Sequence, residues 1–207
     1  MSKKLSLEHL VRPSKMATNA PLVILCHGYG SDENDLFSFA SELNENYCIV
    51  SLRAPLSMTP FGNAWYEIHF DSPQGKWSDD EQAKTARDLI ATCIDEAVVA
   101  YDCNPKNVTL VGFSQGTILS FAVALTYPEK LKNVVALSGY INTAIIPEEL
   151  TAKDYSKLNI FCSHGSADQV IPVDWARKTV PFLEALKIKH VYKEYPVGHG
   201  VAPNNFF

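Results

Sequence analysis

Five residues near the middle of the chain, Gly112-Phe113-Ser114-Gln115-Gly116, constrain the fold more than any other stretch. A β-type run, Val108-Thr109-Leu110-Val111, leads into them, and residues 117–125 continue as a helix-type run. A strand that becomes a helix within one or two residues must pass through a sharp, strained turn. Glycines two residues either side of the serine make room, because larger side chains would collide with neighbouring backbone. Such a turn lifts the serine hydroxyl out of the backbone as an exposed, reactive group. The bland alternative is a glycine-rich turn with a solvated serine. The strand before it and the helix after it argue against that.

The rest of the chain repeats the same alternation. Residues 22–26, 47–52, 134–137, 158–162 and 191–195 are further strand-type segments. Most are continuous apolar runs, the signature of parallel strands buried on both faces. Residues 5–11 read as an edge strand. Between them, a helix is expected from Ser31 through Leu36, Phe37, Phe39, Ala40 and Leu43. A longer one follows Ser78-Asp79-Asp80-Glu81, which fits a capping box. It places Ala86, Leu89, Ile90, Cys93, Ile94, Ala97, Val98 and Tyr101 on one face. Tyr127-Pro128 stops the helix after Ser114. A last helix spans about 174–186, where Pro181 should kink or split it. The pattern predicts an α/β fold: a mostly parallel sheet with helices on both faces and no large cap domain. Residues 1–207 read as a single domain, long enough for a full core. A site in such a sheet lies beyond the carboxyl ends of the strands.

Composition narrows the function classes. The net charge of −5 argues against nucleic acid as a partner. The two N-terminal lysines are not followed by an apolar stretch, so no signal peptide is expected, and no run reaches the length of a membrane span. The five cysteines are odd in number and form no C-x-x-C pair, which points to reduced thiols and a cytoplasmic location. No metal-ligand spacing is visible.

A serine hydroxyl is a weak nucleophile until a base takes its proton. The base is expected to be a histidine oriented by a carboxylate. In an α/β-hydrolase the chain order is Ser, acid, His, which leaves His164, His190 and His199. His199, in Gly198-His199-Gly200 just past the last strand, is favoured. His164 also follows a strand and is read as a structural residue bonding loop backbone; His190 begins a strand at the wrong edge. For the acid, Asp168 follows the strand at Ile160. Its rival Asp174 sits where a helix N-cap belongs, and Asp154, Glu148 and Glu149 fall in a polar connection. An oxyanion hole needs two backbone N–H groups. Gln115 supplies one from the head of its helix. The loop Cys26-His27-Gly28-Tyr29-Gly30 supplies the other, assigned to Tyr29, with His27 as a structural residue.

These residues resemble the phospholipase/carboxylesterase family of α/β-hydrolases, which includes acyl-protein thioesterases and small bacterial carboxylesterases. The resemblance rests on residues 25–30, Arg53-Ala54-Pro55, Ala64-Trp65-Tyr66, 112–116, Leu137-Ser138-Gly139, 164–168 and 198–200, in the family's order. It implies Ser114 as nucleophile, Asp168 as acid, His199 as base, Tyr29 and Gln115 as oxyanion donors, and no cofactor. Two departures stand out. Thr117 replaces a glycine common after the turn and should crowd it. Residues 61–77 carry Trp65, Tyr66, Phe70 and Trp77 in place of the more familiar loop. The chain also ends eight residues after His199, where family members usually add a helix, so this end is either short or truncated.

Pockets for acyl groups are mostly apolar. Trp65 and Tyr140 are therefore the expected substrate-binding residues, the alternative for the aromatic segment being a small hairpin packed on the domain. The expected activity is hydrolysis of a small or medium carboxylic ester or thioester through an acyl-enzyme. A non-catalytic binding module and an acyltransferase using the same residues are the competing readings. Acyl length, ester against thioester, and monomer against homodimer stay open.

Overall fold

The computed structural model describes residues 3–69 and 77–201. Seven strands form the main sheet: β1 (His9–Arg12), β2 (Ala20–Cys26), β3 (Cys48–Leu52), β4 (Cys103–Phe113), β5 (Asn133–Leu137), β6 (Asn159–Gly165) and β7 (Lys189–Tyr195). Their order is β1-β3-β2-β4-β5-β6-β7. β1 runs antiparallel to β3 and every other neighbouring pair is parallel. The continuous apolar runs explain this. Leu22, Ile24 and Cys26 of β2 face one layer of the core, and Val23 and Leu25 face the other, all buried.

Helices α2 (Asp80–Ala100), α3 (Gln115–Thr126) and α5 (Thr179–Ala185) contribute to the larger core layer. The short helix α1 (Asn34–Phe37) packs against β2 and β3 in the smaller layer with Leu36 and Ala40. Among the described residues, no helix is long and apolar enough to cross a membrane.

Several boundaries differ from the sequence pattern, each for a local reason. The helix expected from Ser31 is only α1 plus a single 3₁₀ turn, Ala40–Glu42. The edge strand begins at His9, because Leu5 and Leu7 are buried in the core instead. The N-cap of α2 is Asp79, one residue later than the capping box suggested. Its carboxylate accepts from the Gln82 amide at 2.9 Å, while Gln82 Oε1 turns away to accept from the Glu67 amide. The last helix is split at Lys178 into α4 (Val173–Arg177) and α5. Pro181 accounts for the break: it has no N–H to give Arg177, and its ring clashes with the carbonyl four residues back.

Candidate active site

The turn after β4 is strained as its sequence requires. Ser114 has φ +54°, a left-handed value that a non-glycine residue adopts at a cost. The glycines answer to contacts. A Cβ at Gly116 would run into the carbonyl of Cys26 at the end of β2, and one at Gly112 into the carbonyl of Gly116. Both glycines therefore let α3 start directly over the carboxyl ends of β2 and β4.

Thr117, expected to crowd the turn, is accommodated there. Its hydroxyl lies 2.6 Å from the carbonyls of Gly112 and Leu137 and accepts from the Leu137 amide at 2.9 Å. Its methyl occupies the space where a side chain at Gly139 would stand. The threonine thus ties α3 to β4 and β5, and Gly139 supplies the room.

Ser114, Asp168 and His199 come from the ends of three different strands and meet. His199 Nε2 is 2.9 Å from Ser114 Oγ, and His199 Nδ1 is 2.7 Å from Asp168 Oδ2. A carboxylate only accepts, so Nδ1 carries the proton and Nε2 is left to accept from the serine hydroxyl. The Asp168 side chain is fully buried, and its Oδ1 accepts from the amides of Val170 and Ile171 at 2.8 and 2.9 Å. Burial pushes its pKa up, but the hydrogen bonds from His199, Ile171 and Val170 prevail and hold it below the usual carboxylate value. The loops carrying Asp168 and His199 are joined by main-chain bonds, Ser166 N–H to the Tyr195 carbonyl and Ala167 N–H to the Val197 carbonyl. Ser138 Oγ donates to the Gly200 carbonyl at 3.0 Å and fixes the far side of the His199 loop.

His164 does bond loop backbone, as the sequence suggested. Its Nε2 donates to the Ile171 carbonyl at 2.9 Å, which places that N–H 3.2 Å from Asp168 Oδ2. His27 is likewise buried and structural. It accepts from the Ala54 amide at Nε2, so its Nδ1–H donates to the Gly28 carbonyl.

A cleft of about 220 Å³ opens above Ser114. Tyr29, Gln115 and Tyr140 line it, together with Tyr66, Ile118 and Trp175. Among the described residues, no Lys, Arg, Asp or Glu lines it. Burial raises the pKa of the Tyr66 and Tyr140 phenols, which keeps both neutral. Among the described residues the wall thus carries no acidic or basic side chain besides the histidine, as suits an apolar acyl or alcohol group.

Trp65 is not on this wall. It is 1% exposed, and its indole N–H donates to the His27 carbonyl at 2.9 Å beneath the site. The adjacent Tyr66 faces the cleft instead. Leu56–Ser57 pairs antiparallel with Asn63–Ala64 in a short hairpin, and Ile68–His69 pairs antiparallel with Trp77–Ser78. Phe70 lies outside the described residues. Sequence reasoning gave no role to Trp175, which stacks edge-to-face on Tyr140 at 5.2 Å, or to Val170, Ile171 and Ile118. The one visible signal for Trp175 was its position seven residues after Asp168, at the first turn of the helix following the acid loop.

A strained serine over parallel strands, with a histidine and a buried carboxylate in line, is the arrangement of α/β-hydrolases. The chain matches the phospholipase/carboxylesterase family over residues 8–206. It belongs to that family. A probable carboxylesterase of Oryza sativa subsp. japonica is 30% identical over 70% of this chain, and the match spans only 54% of the plant protein's length. Acyl-protein thioesterase 1 of Cryptococcus neoformans is 30% identical over 86% of the chain and 78% of its own length. Among solved structures, the esterase PE8 superposes with a TM-score of 0.84 at 28% identity, covering 98% of this chain and 95% of that one. The family match thus covers the described chain from Glu8 onward.

Proposed function

We propose that the protein is a serine ester hydrolase that acts on small to medium carboxylic esters or thioesters through an acyl-enzyme on Ser114. The observation that carries this reading is the continuous line from Ser114 Oγ through His199 to the buried Asp168 carboxylate, at 2.9 and 2.7 Å. Ser114 Oγ attacks the carbonyl carbon while His199 Nε2 takes its proton. Asp168 holds the imidazole in the required tautomer and stabilises the imidazolium. The oxyanion that forms is stabilised by the N–H groups of Gln115, at the first position of α3 where no intrahelical partner exists, and of Tyr29. His199 then gives its proton to the departing alcohol or thiol. Water, deprotonated by the same histidine, releases the acid and restores Ser114. No cofactor enters this sequence.

The names of the relatives include both carboxylesterase and acyl-protein thioesterase, which supports the reaction class and leaves ester and thioester substrates together. All five cysteines are unpaired and buried, which favours a reducing, cytoplasmic setting. Hydrolysis of p-nitrophenyl acetate tests the reading. Ser114→Ala should lower kcat by on the order of 10⁶ and abolish labelling by a fluorophosphonate probe. Retained turnover or labelling in that variant would remove Ser114 from the role of nucleophile.

A further inference from the structure

Gln115 offers the site its backbone N–H, yet its side chain points elsewhere and is 2% exposed. Its amide makes two well-formed bonds to consecutive backbone groups of another segment. Oε1 accepts from the Trp65 amide at 2.9 Å, and Nε2 donates to the Tyr66 carbonyl at 2.8 Å. Donor and acceptor at the end of one flexible stem are what an amide provides, and burial makes either bond costly to lose.

The segment held in this way also grips the loop that carries Tyr29. Gly30 N–H donates to the Asn63 carbonyl at 2.9 Å, and Asn63 N–H donates to the Ser31 carbonyl at 2.7 Å. Gly62, at φ +88°, lies so close to the backbone of Gly30 that no Cβ would fit there. The Trp65 indole reaches the His27 carbonyl, one residue before Gly28. Residues 62–66 are thus bonded at one end to the Tyr29 loop and at the other to Gln115. They bridge the two pieces of backbone from which the oxyanion donors come.

We infer that Gln115 is a positioning residue for the oxyanion hole: its side-chain amide latches residues 65–66 to the head of α3 and so sets the separation between its own N–H and that of Tyr29. This rests on the esterase reading above. Oxyanion donors act only at about 2.7–3.1 Å from the developing charge, so a shift of either piece weakens the transition state more than the bound substrate.

Gln115→Met keeps the length and bulk of the side chain and removes both bonds. Gln115→Glu keeps an acceptor for Trp65 N–H and sets a carboxylate oxygen against the Tyr66 carbonyl. Both should lower kcat about 10- to 100-fold, below the full loss of one donor, with KM changed less than about twofold. The Ki of a boronic acid that forms a tetrahedral adduct on Ser114 should rise by the same factor as kcat/KM falls. A purely structural glutamine would lower the melting temperature and leave kcat and Ki alone. That result, or a raised KM at unchanged kcat, would overturn the inference. If Gln115→Met is too unstable to purify, Gln115→Glu carries the same comparison. Wild-type protein in the same assay separates the two ideas: no wild-type turnover sinks the esterase reading, whereas wild-type turnover with unaltered variants sinks the latch alone.

Discussion

Ser114, Asp168 and His199 stand just beyond the carboxyl ends of β4, β6 and β7, and Tyr29 three residues beyond that of β2, whereas Trp65 and Tyr66 stand on a connection whose strands, among the described residues, are two-residue ladders. The first group inherits its spacing from the sheet. β4, β5, β6 and β7 are neighbours in unbroken parallel register, so the distance between their ends is set by main-chain hydrogen bonds. The segment around Trp65 and Tyr66, with the Tyr29 loop it grips, is held differently. It is assembled by side chains reaching backbone: Trp65 to His27, Gln115 to Trp65 and Tyr66, His27 to Ala54. A sheet can place side chains at its strand ends without help from others, while the Trp65 segment and the Tyr29 loop it grips depend on a few of them. Mutations should therefore act differently on the two sides: through chemistry on the first, through alignment and stability on the second.

The largest effect is expected on the sheet side. Asp168→Asn preserves the shape of the carboxylate but offers His199 Nδ1 an amide that can force the wrong tautomer. By analogy with other triads, kcat should fall by about 10⁴. The melting temperature should change far less than the rate, because β6 and the loop bonds remain. A rate loss no greater than that of Gln115→Met would mean that the carboxylate does no more than alignment, and the contrast between the two sides would collapse.

On the tethered side, Trp65→Phe is the sharper probe. It retains most of the buried aromatic surface and deletes only the indole N–H that satisfies the His27 carbonyl. Leaving that buried acceptor unpaired should cost about 1–3 kcal/mol of stability, read as a lower urea midpoint at unchanged m-value. A variant as stable as wild type would show that the bond is not what holds this loop.

The same contrast governs what was legible in the sequence. Ser114, Asp168 and His199 could be picked out as the proposed nucleophile, acid and base because each follows a strand-type run in a fixed chain order, and the flanking glycines mark where backbones approach. The structure brings all three together. The wall of the cleft was harder. Trp65 was expected in the pocket because such pockets are mostly apolar, but one residue of register decides which of Trp65 and Tyr66 faces it. That register is set by Gln115 and His27, which are 50 and 38 residues away along the chain. Trp175 went unnoticed because its partner Tyr140 lies 35 residues earlier in the chain and the two rings meet only in the fold. Thr117 looked like crowding because the compensating gap at Gly139 exists only in three dimensions.

The smallest effect separates the two sides by pH. Burial, ahead of the opposing bond to Gly28 and nearby carboxylates, lowers the pKa of His27 below its ordinary 6.5. Below pH 6.5 the unfolded chain binds a proton there that the folded chain refuses, so His27 favours folding fully above that pH. Its contribution fades as the pH drops toward the folded value. Asp168 is also depressed, from 3.8, so its contribution is intact above pH 3.8 and fades only below it. Between pH 7.5 and 5.5 the tethered side should therefore weaken while the Asp168 carboxylate stays ionised. One proton limits the slope to about 1.4 kcal/mol per pH unit. Urea unfolding of wild type and His27→Gln at the two pH values isolates this term, since the other histidines are common to both. The stability gap between them should narrow at pH 5.5. A gap that stays constant would mean that His27 titrates alike in the folded and unfolded chains, and that the loop bearing Tyr29 is no more sensitive to acid than the strand ends beside it.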